Sequence, residues 1–288
     1  MIEEFRSCAK WILSGEHTVT RGGKALAFPL KKYENRVVFE KSGDRRIVAA
    51  EENTVARLLD AAAKFSGITP DKVSGHIFVE SNIPTKVGFG SSAAICVNIA
   101  KLFEHCGACG DVFALARNLE NKFHKKSSGL DVAAVLKNKP VVFRNNEVKY
   151  FLEPKFQPRL FLTASGETSS TSECARIVEE FFRKNEKLAL ESDEQMESAS
   201  DLCEDALKNA DFRKLRDGMM LANEVFHRWG LCTPAMSFHM DILRQKGAVA
   251  VKPAGSGLGG CILSLWEEDC AFDDPSALDV FADRTIKT

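Results

Sequence analysis

The spacing of apolar and polar positions changes several times along this chain, and each change marks an element. In residues 52–65, Val55, Leu58, Leu59, Ala62 and Phe65 recur at steps of three and four, the spacing of one helical face. Residues 91–105 and 111–124 read as consecutive helices, and 132–136 as a third, short one. Residues 7–13, 25–30, 36–40 and 45–48 read as strands separated by glycine-rich or polar turns, and 76–80 alternates as a strand. Residues 140–144 and 148–152 read as a hairpin, with Asn145-Asn146 supplying the turn chemistry. The proline-bounded stretch 154–158 is the best linker, which divides the chain into domains 1–155 and 156–288. Beyond it come a strand (160–163), a helix (172–184) and two long polar-faced helices (193–208 and 212–229). A further helix follows, then strands at 248–252 and 261–266 around a glycine turn. This order is mixed α+β, not a regular alternation of strand and helix, and no internal repeat interrupts it.

Composition narrows the classes. The chain has 288 residues, 44% hydrophobic and 27% charged, as in ordinary globular proteins. A net charge of −1, with dispersed basic residues, favours neither a nucleic-acid backbone nor an anionic membrane. Residues 1–6 carry two glutamates and lead into no long apolar run, so they do not read as a secretory signal. No segment is apolar enough to span a bilayer. The nine cysteines are odd in number and scattered, as expected of free thiols in a reducing cytoplasm. Cys106-Gly-Ala-Cys109, preceded by His105, is a close pair, but zinc needs four ligands and no second close pair exists. It reads as a turn between helices.

Three segments carry chemistry. In Val87-Gly-Phe-Gly-Ser-Ser-Ala-Ala94, Gly88 and Gly90 allow tight backbone and close approach of a ligand. Ser91 and Ser92 stand where a helix would start, so free N–H groups and the positive helix end face what the glycines admit. That is an anion site, and a nucleotide phosphate is the commonest such anion; no Gly-Lys-Ser/Thr closes the loop, so it is not a Walker A motif. Near the N-terminus, Lys10, Glu16 and His17 stand around a glycine turn; taken alone, Lys10 and Glu16 read as solvated charges. Near the other end, Val251-Lys-Pro-Ala-Gly-Ser-Gly-Leu-Gly-Gly-Cys261, between two apolar runs, has four glycines in the six positions 255–260, more than a hairpin turn needs.

Together these segments resemble the GHMP kinase superfamily over essentially the whole chain. Lys10, Ile12-Leu-Ser-Gly-Glu-His17, Gly22 and Ala27-Phe-Pro-Leu30 resemble the first motif of its mevalonate kinase branch. Ser127-Ser-Gly-Leu-Asp-Val-Ala133 resembles that branch's Pro-Ser-Gly-Ile/Val-Asp-Asn-Ala segment. The resemblance implies a two-domain α+β GHMP kinase fold. Its N-terminal domain would be like domain 2 of ribosomal protein S5, and its C-terminal domain ferredoxin-like.

The resemblance also implies ATP and Mg²⁺ and a role for each site residue. Gly88, Gly90, Ser91, Ser92 and Ala93 would bind ATP. Ser92 and Glu120 would hold the metal, and Asp131 would be the catalytic base with Lys10 against it. Glu16, His17, Gly255, Ser256 and Gly257 would bind the acceptor, with Thr171 near Lys10 and Asp131. Taken alone, Asp131 reads as an acid complementing a helix dipole and Glu120 as part of a solvated helix face. His124 reads as structural. The implied reaction is phosphorylation of mevalonate to 5-phosphomevalonate by a cytoplasmic enzyme, with a homodimer as an expectation and neither nucleic acid nor membrane as partner.

Several positions depart from the family pattern. Cys8 stands where a proline is usual, residues 125–128 lack one, Val132 replaces an asparagine and Leu258 breaks the glycine run. The resemblance implies that these positions border the acceptor pocket, so phosphomevalonate, mevalonate 3-phosphate and a galactose-type sugar remain alternative acceptors. Val19, where a galactokinase would carry an aspartate, argues against the sugar. A non-catalytic nucleotide-binding relative is the alternative from another class.

Overall fold

A computed structural model describes residues 2–123 and 127–281, except for the side chains at 70 and 71. His124 and the Lys125-Lys126 part of the departing loop lie outside the described residues. The chain forms two compact units, one from residues 1–10, 28–85 and 89–139, the other from 11–27, 86–88 and 140–288.

Strand β1 (Ile2–Ser14) contributes its first nine residues to the first unit. Strand β2 (Ala25–Lys41) is continuous where two strands and a turn are predicted. The polar stretch 31–35 stays extended because it has partners. Asn98 donates to the Asn35 carbonyl (2.9 Å) and to Asn35 Oδ1 (2.8 Å), and Glu34 N–H donates to Asn82 Oδ1 (2.7 Å). Residues 35–41 of β2 pair antiparallel with β4 (Gly75–Ser81), and the short β3 (Arg46–Val48) joins β4 in parallel.

Helix α1 (Glu52–Ser66) buries Val55, Leu58, Leu59 and Ala62, as the spacing predicts, but Phe65 points to solvent. A left-handed Gly67 ends it. Helix α2 (Ser91–His105) is the hub of this unit's helices: α1, α3 (Val112–Glu120) and α4 (Leu130–Lys137) all pack against it. The Asp111 side chain caps α3 by accepting from Ala114 N–H at 2.9 Å. Cys106, Gly107 and Cys109 form the turn after α2, and both thiols are free.

In the second unit, β5 (Val141–Arg144) pairs with residues 25–27 of β2 and forms a hairpin with β6 (Glu147–Phe151). Asn145 and Asn146 both adopt positive φ, as a type I′ turn requires. A four-stranded antiparallel sheet follows in the order β10-β7-β9-β8, built from Leu278–Asp279, Arg159–Ala164, Cys261–Trp266 and Ala250–Ala254. Four helices, α5 (Thr171–Lys184), α6 (Glu186–Asn209), α7 (Phe212–Arg228) and α8 (Pro234–Gln245), complete it. Their apolar faces gather Met196, Ala222, Val225, Phe226 and Trp229 into one core cluster. Among the described residues no helix is long and apolar enough to cross a membrane.

Candidate active site

In the first unit the site begins on β1. Lys10 lies mid-strand, and its backbone N–H donates to the Phe89 carbonyl at 3.0 Å, joining the strand to the loop that leads into α2. Its side chain crosses Gly90, where a Cβ would stand 3.0 Å from Lys10 Cε and Cγ. Gly90 has φ +73° and caps α2, so both its conformation and the passing lysine call for glycine. The N–H groups of Ser91, Ser92 and Ala93 follow in the first turn of α2, where they have no acceptor within the helix. Ser91 and Ser92 are half-buried and Ala93 is fully buried.

Beyond Gly90 the Lys10 ammonium reaches Asp131 Oδ2 at 2.9 Å. Lys10 is 2% exposed, so its reading as a solvated charge is corrected. Asp131 stands in the first turn of α4, where the helix dipole also favours its charge. Glu120, the last residue of α3, is likewise buried at 2% exposure, which corrects its reading as part of a solvated face. Its carboxylate accepts from Ser127 Oγ–H. The Ser127 hydroxyl is itself oriented, accepting from Gly129 N–H at 3.0 Å, and Asn121 Oδ1 takes Ser127 N–H at 2.7 Å. Burial, and then the neighbouring Asp131 charge, push the Glu120 pKa up to about 7 against the pull of Ser127, Lys10 and Arg117. Burial and the Glu120 charge also raise the thiol of Cys96, on α2, well above its usual range.

Two carboxylates beside one ammonium in a largely buried place form a donor set suited to a cation. Their oxygens, with hydroxyls nearby, suit a hard divalent ion. Among the described residues no group of three or more His, Cys, Asp or Glu side chains is poised to hold a metal. A metal here would therefore complete its ligands with hydroxyl, phosphate and water oxygens.

In the second unit, Glu16 and His17 form a tight corner. Thr18 N–H donates to the Glu16 carbonyl at 2.7 Å, and His17 between them has φ 63° and ψ −48°. This is the classic γ-turn, rare and strained for a residue with a side chain. Glu16 is 3% exposed, again against its reading as a surface charge. Its Oε1 lies 2.6 Å from the ammonium of Lys252 on β8, a residue of the third segment to which sequence reasoning gave no role. The His17 ring packs edge-on against Phe226 and Trp229. Its Nε2 stands 2.8 Å from the Ser256 carbonyl, which can only accept, so Nε2 carries the proton. Burial holds its pKa down at about 4 against that bond, so the ring is neutral at pH 7.

The glycine-rich loop after β8 is fixed from several sides. Ser256 Oγ lies 2.7 Å from Ser169 Oγ, and Ser169 donates to the Gly257 carbonyl at 2.6 Å. Gly88 packs against the loop so closely that a Cβ there would lie 3.2 Å from the Ala254 carbonyl oxygen and 3.5 Å from the Cα of Gly255. Leu258, which breaks the glycine run, has φ 53° and donates its N–H to the Leu231 carbonyl at 2.8 Å. Its side chain joins the apolar cluster of α5, α6 and α7, so the break anchors the loop. Thr171 opens α5 and is exposed.

Known proteins match this chain in sequence and in fold. A mevalonate kinase of Aeropyrum pernix is 25% identical, over 90% of this chain and 87% of its own. The crystal structure of L. major mevalonate kinase in complex with R-mevalonate superposes with a TM-score of 0.74 at 18% identity, covering 93% of this chain and 88% of that one. Streptococcus pneumoniae phosphomevalonate kinase in complex with phosphomevalonate and AMPPNP gives 0.74 at 15% identity, over 95% and 93%. The family model for the GHMP kinases N terminal domain matches residues 53–139, and that for the GHMP kinases C terminal region matches 203–273. The two matches stand in the family's order and together span more than half of the sequence: the chain belongs to the GHMP kinases, a family of small-molecule kinases.

Proposed function

We propose that this kinase transfers the γ-phosphoryl group of ATP to the primary hydroxyl of mevalonate, giving 5-phosphomevalonate and ADP. The observation that carries the reading is the buried contact between Lys10 and Asp131, beside the N-terminus of α2. The curated relatives named mevalonate kinase favour that acceptor. In this reading Gly88, Gly90, Ser91, Ser92 and Ala93 hold the phosphates through backbone N–H groups. Asp131 takes the proton of the acceptor hydroxyl as its oxygen bonds to phosphorus and the bond to the ADP oxygen breaks. Lys10 supplies the positive charge beside the forming alkoxide. Glu16, His17, Thr171 and the loop of Gly255, Ser256 and Gly257 bind the acceptor. Ser92 and Glu120 hold Mg²⁺, which when bound neutralises charge across the phosphates. The nine free cysteines support work in the reducing cytoplasm.

The test is ADP release from Mg·ATP with mevalonate, 5-phosphomevalonate, mevalonate 3-phosphate, galactose and homoserine as acceptors. Turnover on mevalonate alone is expected. Turnover on another member of the panel overturns the acceptor but not the kinase chemistry. ATP binding without turnover on any overturns both.

A further inference from the structure

Lys252, in the glycine-rich third segment but given no role by it, is a fully buried lysine of the second unit. It lies on β8 opposite Leu263 of β9 and is 0% exposed. Its ammonium makes two 2.6 Å contacts, to Glu16 Oε1 and to the carbonyl of Pro253, and lies 5.4 Å from the centre of the Phe226 ring. Its direction is therefore fixed. The other Glu16 oxygen, Oε2, is buried and has no hydrogen-bond partner among the described residues. Four residues after Lys252, the Ser256 carbonyl takes the proton of His17 Nε2. One stretch of chain thus holds both residues of the strained corner, one each.

A purely structural pair explains this poorly. A buried ion pair adds little stability over apolar side chains of the same volume. A buried carboxylate oxygen left without a donor is destabilising, and a γ-turn adds strain. These costs make sense if the corner is arranged for something that supplies the missing donor. We propose that Lys252 is a positioning residue for the acceptor: it holds Glu16 by one oxygen so that the other faces a hydroxyl donor of the bound acceptor. This rests on the reading of Glu16 as an acceptor-binding residue.

Steady-state kinetics of K252M, K252R, E16Q and the double variant E16Q/K252M, with mevalonate and ATP varied in turn, test the inference. K252M is expected to raise the acceptor KM about tenfold or more while the ATP KM moves by less than about twofold. K252R recovers most of that loss. In the E16Q background K252M adds nothing, because Lys252 acts only through Glu16. Effects that add, or a change in kcat and both KM values together, overturn the inference. If K252M alone does not fold, E16Q/K252M, in which neither charge is left buried alone, is compared with the native enzyme: a raised acceptor KM with an unmoved ATP KM is expected, and unchanged kinetics overturn the inference.

A second readout needs no acceptor. The carboxyl ¹³C shift of Glu16 in the native protein should move in K252M and return toward its native value in K252R, because Lys252 Nζ holds Glu16 Oε1. Identical spectra overturn the inference. A native enzyme silent on mevalonate overturns the proposed acceptor instead, and the spectra then decide the role of Lys252.

Discussion

A lysine on the inner face of a strand keeps its charge only if something beside it repays the loss of water, and for Lys10 that is Asp131 at 2.9 Å. D131N keeps the shape of the side chain and removes the base. Turnover should fall about 10³-fold while ATP binding stays near normal, measured by ADP release and by nucleotide titration. Near-normal turnover would remove Asp131 from the reaction. E120Q should raise the Mg²⁺ concentration for half-maximal rate, since a neutral amide is a poorer ligand for a hard ion. An unchanged metal dependence counts against Glu120 as a ligand. These residues were legible because each stands in a motif whose neighbours are unusual. Burial was not legible: Lys10, Glu16 and Glu120 look like surface charges when their partners lie far along the chain. Lys252 stands in the third segment but was given no role for the same reason: its partner is 236 residues away, and the glycines after it carry that segment's signal.

At the scale of the element, the loop between β8 and β9 shows how little freedom a glycine-rich segment has once it is folded. Gly259 has φ +125°, and a Cβ there would stand 2.8 Å from the Thr168 carbonyl oxygen. That neighbour is backbone and cannot swing away. G259A should therefore cost about 2–4 kcal/mol of stability in urea unfolding, from strain and overpacking together; a loss under ~1 kcal/mol would show that the loop can shift. Helices with a clean spacing were legible, α1 and α2 among them. Those whose ends depend on context were less so. α6 begins at Glu186, immediately after Asn185 ends α5 and seven residues before its predicted start at 193. α3 ends at Glu120, short of the predicted 124. β10 is two residues long, and only its pairing with β7 makes it a strand. Phe65 fits the helical period yet lies at the last turn of α1, beyond the packed face.

At the scale of the whole molecule, charge is spread over many small networks, and one of them in the second unit is deep enough to govern acid stability. Glu204 on α6 is 8% exposed at its side chain; it receives Lys24 at 2.8 Å and also bonds Lys208 and Tyr150 OH. Burial would raise its pKa, but the bonds from Lys208, Lys24 and Tyr150 outweigh it and bring the carboxyl down to about 2. The folded pKa lies below the unfolded one, so its contribution is complete above about pH 4.5 and is lost as pH falls toward 2. E204Q should cost on the order of 2 kcal/mol at pH 7, and that cost should shrink at pH 3, as read by urea unfolding at both. A cost that does not change with pH would assign the effect to packing instead. The pair of Glu16 and Lys252 has a different consequence, in the order in which the chain is made. Residues 11–27 leave the ribosome early, but the ammonium and the carbonyl that hold Glu16 and His17 come from residues 252 and 256. Until β8 emerges, Glu16 has only water for company and the turn at His17 has nothing to keep it strained. A nascent chain halted before residue 252 would carry both side chains and be able to fix neither, so this corner is among the last parts of the second unit to be set.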